Sequence, residues 1–154
     1  MAAGSAVKYN GLEKTLTSTD NRDWDDAAAG NIMFVLAGAG YTPIATHSTT
    51  ADLTNVITAG DGAPISATGL TIDNTTTPGT TCYKSDDVNF GSAVTIEAKY
   101  LIAIQPVTPG TYSATTGKLL FYLNLNTSSG SATAISTASD FVVYTPANGW
   151  IKTV

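Results

Sequence analysis

The chain has 154 residues, 43 % hydrophobic and only 12 % charged, with a formal net charge of −5. That is enough for one domain with a real core, and a charge content about half the usual quarter is the opposite of a disordered chain's balance. Seven basic residues against 12 acidic ones exclude a phosphate-gripping nucleic-acid surface and disfavour attachment to an anionic membrane.

Hydroxyls replace the missing charge, with 26 Thr and 12 Ser along the chain. Six Lys, one Arg and two Glu are too few to cover long solvated helices. The composition therefore predicts a mainly β protein. In chain order, residues 6–18 carry the one helical pattern, with Tyr9, Leu12 and Leu16 at i, i+3 and i+7 and Glu13 and Lys14 opposite. Gly11 weakens that helix and keeps it short. Asp20, Asn21, Asp23, Asp25 and Asp26 surround Trp24 in a polar turn. The unbroken apolar run at 31–37, between Gly30 and Gly38, predicts a strand covered on both faces. Thr50 is placed to cap one or two helical turns over 50–57, which Gly60 and Gly62 end.

The second half reads as strands. They are expected at 67–73 (Leu70 and Ile72 on one face), 81–85, 88–90, 118–125, 141–144 and 150–154, with 135–139 ambiguous. The clearest alternation sets Val94, Ile96, Ala98 and Tyr100 against Thr95, Glu97 and Lys99, before an apolar run through Ile104. Pro106, Pro109, Gly110 and Gly117 mark a long loop insertion at about 105–117, and 126–131 is a polar turn. About seven to nine strands with frequent turns predict a single antiparallel β-sandwich over 1–154, jelly-roll or Ig-like, with a short N-terminal helix.

Five groups invite a chemical reading. His47 is the only histidine, but no Gly-x-Ser-x-Gly elbow accompanies it, so a hydrogen-bonded loop residue is the expected role. The Asp20–Asp26 carboxylates offer hard oxygens for calcium, yet their spacing is not that of an EF-hand loop, and a plain turn is expected. Gly38-Ala39-Gly40 lacks the third glycine and the helix of a dinucleotide loop and reads as a tight turn. Asp86-Asp87 reads as a turn as well. Cys82, the only cysteine, can form no intramolecular disulfide and is expected to act as a small hydrophobe. The sequence assigns no catalytic, cofactor-binding or metal-binding residue, and no cofactor. The first residues have neither the basic nor the apolar region of a signal peptide, so synthesis in a cytoplasm is expected.

Three segments carry a family likeness. One is the N-terminal helix followed by Asp23-Trp24-Asp25-Asp26, then Asn31-Ile32-Met33-Phe34-Val35-Leu36 and Gly40-Tyr41-Thr42-Pro43. Another runs from Thr46-His47-Ser48-Thr49 through Asp52-Leu53. The last joins Ser85-Asp86-Asp87-Val88-Asn89-Phe90 to the strand from Val94 to Ile104, with counterparts at 119–125 and Gly149-Trp150-Ile151-Lys152. In this order they resemble small structural proteins of tailed bacteriophages; the 105–117 insertion departs from that pattern. The resemblance implies a virion protein made in the bacterial host cytoplasm. Its leading form is a capsid decoration or cement protein on the capsid exterior, bound to the major capsid protein and to copies of itself as a trimer. The alternative is a tail or fibre component whose Tyr112 and Tyr144 stack on host sugars. A hydrolase built on His47 is the weakest reading. Attachment is expected through the N-terminal segment up to Lys14 and the 106–117 loop.

Overall fold

The computed structural model describes residues 6–10, 31–73, 75, 81–125 and 134–153. In chain order the strands are β1 (Val7–Lys8), β2 (Met33–Ala37), β3 (Ile65–Ser66), β4 (Thr71–Asp73), β5 (Thr81–Lys84) and β6 (Val88–Asn89). They continue with β7 (Val94–Ala98), β8 (Tyr100–Gln105), β9 (Lys118–Asn124), β10 (Ala134–Ser139), β11 (Val142–Val143) and β12 (Ile151–Thr153). Among the described residues all the pairings are antiparallel, and the strands form four sheets ordered β1-β9-β8-β2-β3, β10-β7, β11-β6 and β12-β5-β4. The protein is mainly β.

The apolar runs explain the centre of the largest sheet. Along β2, Phe34 and Leu36 enter one core, while Met33, Val35 and Ala37 enter another. Its neighbour β8 does the same, with Leu101 and Ala103 in the first core and Tyr100, Ile102 and Ile104 in the second. A sheet covered on both faces needs apolar residues at both parities, so alternation disappears from its sequence. On β9 the register against β8 shifts between Ala103 and Ile104. That irregularity lets the consecutive Leu120 and Phe121 both join the first core.

The first core lies between the five-stranded sheet and the small sheets. Val88 and Phe90, Val94, Ile96 and Ala98, Phe141 and Val143, and Trp150 and Ile151 enter it from the opposite side. Ile96 is 2 % exposed. Trp150 packs on Phe34 and stacks on Phe121, and its indole N–H donates to Ser85 Oγ at 2.8 Å.

Several expectations need correction. The helix over 6–18 is absent at its start, where Val7 and Lys8 pair with Tyr122 and Phe121 as an edge strand; pairing with β9 overrides the local helical spacing. Residues 11–18 lie outside the described residues, as does the whole Asp20–Asp26 turn. Tyr100 does not share a face with Val94, Ile96 and Ala98, because it enters the second core. At Lys99 the chain passes from the small β7 sheet into the large one on the other side of the first core. The parity that faced that core then faces away from it. Of the strand expected at 67–73 only β4 (Thr71–Asp73) is extended: Gly69, with a φ of +58°, turns the chain before it, and Ile72 is exposed, so Leu70 and Ile72 do not form a buried strand face. The ambiguous 135–139 segment is strand β10.

Candidate functional site

The second face of the large sheet is roofed by the N-terminal segment that follows β1 and by two loop segments. Tyr9 comes from the N-terminal segment, Tyr41, Leu53 and Val56 from residues 38–57, and Tyr112 from the 106–117 loop. Backbone bonds hold them: the Asn10 amide donates to Ala45 O at 3.0 Å, and the Leu119 amide of β9 donates to Ser48 O at 2.9 Å. Two of these segments are the ones expected to attach the protein.

Thr50 is the stitch. Its amide donates to Gly117 O at 2.7 Å, its hydroxyl donates to Ser113 O at 2.7 Å, and the same oxygen accepts from the Gly117 amide at 3.0 Å. Thr50 is therefore buried inside a 3-10 turn (Thr50–Asp52) and does not cap a helix; Thr49 stands at the cap position. Asp52 closes that turn by accepting from the Ser48 and Thr49 amides at 2.8 and 3.0 Å. These two bonds hold the Asp52 carboxyl below its usual range. The sequence hinted at a turn here, but nothing local signalled a partner 63 residues away. Replacing Thr50 by Val keeps the shape and leaves the Gly117 amide and Ser113 carbonyl without that partner. We expect a loss of about 1–3 kcal/mol in urea unfolding; an unchanged midpoint would show that the stitch contributes nothing.

His47 sits at the outer end of a hydrogen-bonded row. Its Nδ1 lies 2.9 Å from Tyr41 Oη, which lies 2.8 Å from the buried Tyr9 Oη. With His47 neutral and protonated at Nε2, Tyr41 donates to it and accepts from Tyr9, so each phenol O–H has an acceptor. The Asp–His bond of a Ser-His-Asp triad is not formed, since Nδ1 faces Tyr41 and Asp52 serves backbone amides.

The other singled-out residues have local work. Gly38 and Gly40 wrap the Asn55 side chain so closely that a Cβ on either would stand 2.8 Å from its Nδ2. This is the physical need behind that glycine pair. Asp87 Oδ1 accepts from the Thr145 amide at 2.8 Å, and the Asp86 carbonyl accepts from Ser85 Oγ and Thr145 Oγ1. Cys82 is buried and unbridged in β5 between β4 and β12. Among the described residues no group of three His, Cys, Asp or Glu side chains is placed to hold a metal. Of the two tyrosines considered for sugar stacking, Tyr112 packs under the loop against the second core, and burial pushes its phenol pKa up. Tyr144 stays 56 % exposed.

No family model matches the chain, and neither curated proteins nor solved structures contain a match to it.

Proposed function

We propose that this chain is a structural component of a tailed-bacteriophage virion, a non-enzymatic decoration protein seated on the outside of the major capsid shell. In this reading the layers around the first core form a single β-sandwich domain of the jelly-roll or Ig-like kind. Its partners are the major capsid protein and other copies of itself, arranged as trimers. The observation that carries the reading is the roof over the second face. Loops and the N-terminal strand converge there, and Val7, Ile44 and Val107 remain exposed on those segments, the last two by more than half. Strand-built layers supply rigidity, while such a roof supplies apolar and hydroxyl contact that many copies multiply by avidity.

Imaging intact particles tests the placement. Hundreds of copies across the head support decoration, whereas a few copies at the tail would establish the alternative, a tail or fibre component. Two further outcomes are expected. Sedimented particles should keep the protein as salt rises to physiological strength, because screening weakens exposed charge pairs and leaves apolar burial intact. Release at modest salt would overturn attachment through the roof. His47→Ala should leave assembly and infectivity near wild type, and loss of a measured hydrolytic activity would overturn the non-enzymatic reading.

A further inference from the structure

Two sheet edges face each other away from the roof. The five-stranded sheet ends at β3, the β11-β6 ribbon ends at β6, and a cavity of about 220 Å³ lies between them. At one end the edges touch, where the Asp86 amide donates to Thr68 O at 2.8 Å. Beyond that bond β3 and β6 do not pair, so the edges splay around an open wedge. Its apolar wall is Phe34, Ala67 and Val88, all members of the first core.

The polar side of the wedge is set up in advance. Asp87 Oδ1 is held by the Thr145 amide, and Asn89 Oδ1 accepts from the Gly91 amide at 2.8 Å. Each side chain is thus fixed through one oxygen, leaving Asp87 Oδ2 as an acceptor and Asn89 Nδ2 as a donor. The Asp86 carboxylate lies over Gly69 at the end of the wedge where the edges touch, and it has no hydrogen-bond or ion-pair partner among the described residues. No Lys, Arg or His lines the cavity, so a phosphate or carboxylate ligand would face two carboxylates with no cation to balance them. Tyr144 follows Val143, which pairs with Val88 in the first core, so its exposed ring lies outside the cavity lining.

We propose that this wedge binds one ring of an uncharged sugar. Neighbouring sugar hydroxyls donate to the Asp86 and Asp87 carboxylates and accept from Asn89 Nδ2. The C–H face of the ring packs on the apolar wall. Preformed, singly anchored side chains reduce the ordering lost on binding. The inference is independent of where on a virion the chain sits.

The test is amide NMR titration of the full chain with glucose, galactose, mannose and N-acetylglucosamine, each to about 50 mM, well into the range of weak binding. At least one sugar should give saturable shifts confined to residues 65–68 and 86–89. Asp86→Ala, which keeps the backbone bonds of residue 86, should weaken that binding about tenfold, the loss of one charge-assisted hydrogen bond. The proposal is overturned if no sugar in the panel shifts these amides, or if binding is unchanged in Asp86→Ala. A wedge that responds to n-butylamine and to none of the sugars is an ammonium pocket for a partner's basic side chain, which also overturns it.

Discussion

Replacing Phe121 by Ala is expected to destabilise the protein by about 3–5 kcal/mol, the range for removing a fully buried aromatic ring. Phe121 has no exposed surface, stacks on Trp150 with ring centroids 6.1 Å apart, and meets Phe34 edge-on at 6.5 Å. Its backbone lies between β1 and β8, pairing with Lys8 on one side and Ala103 on the other. The ring therefore sits where the large sheet meets the small ones, and no single loop can collapse into the space it leaves. Against a typical total of about 5–15 kcal/mol, this loss brings the domain close to unfolding. Urea denaturation followed by tryptophan fluorescence measures it, since Trp150 lines the cavity created. Val107→Ala, at an exposed loop position, should stay within about 0.5 kcal/mol. A Phe121→Ala loss under about 1 kcal/mol would mean that the first core does not hold the two sides together.

The second large effect is expected at alkaline pH. Burial pushes the Tyr9 phenol far above its ordinary value, and the hydrogen bond from its hydroxyl to Tyr41 adds to the shift. Burial also raises Tyr41, Tyr112 and Tyr122. In the unfolded chain these phenols ionise near pH 10, but in the folded chain they stay protonated to higher pH. The sign follows: the stability is fully present below about pH 10 and is lost as pH rises from there toward the folded values. For a fully buried phenol such as Tyr9 the loss is about 1.4 kcal/mol per pH unit. Absorbance of tyrosinate should therefore appear in two stages, with the buried phenols ionising together with the loss of folded circular dichroism. Tyr9→Phe keeps the Tyr41–His47 bond and should make the alkaline loss shallower. Ordinary titration of all tyrosines in the folded protein would refute the buried row.

Much of the fold was legible because period-two patterns and turn residues are local. β7 shows it most clearly, since Val94, Ile96 and Ala98 are buried while Thr95 and Glu97 between them are exposed. The unbroken runs at β2 and β8 announced a sheet covered twice, though not what covers it. Asp86-Asp87, Cys82 and the Gly38–Gly40 turn were also read in the right local terms. The short N-terminal strand was missed because its helical spacing is as local as any strand signal. Only the backbone of Tyr122 and Phe121, more than a hundred residues on, decides between the two.

The amino-acid sequence by itself determined the mainly β class, the positions of the long strands and the shortage of basic charge, since each depends on composition or near neighbours. Tertiary structure alone decided which parity of each strand faces which core. It also decided that the Thr50 hydroxyl ties two distant loops, that Tyr9, Tyr41 and His47 form one row, and that β3 and β6 splay around a wedge. The physical reason is common to all four. Hydrogen bonds and burial between segments far apart in sequence are set by the packing of layers, and a hydroxyl, a phenol or a strand edge carries no local mark of its eventual partner.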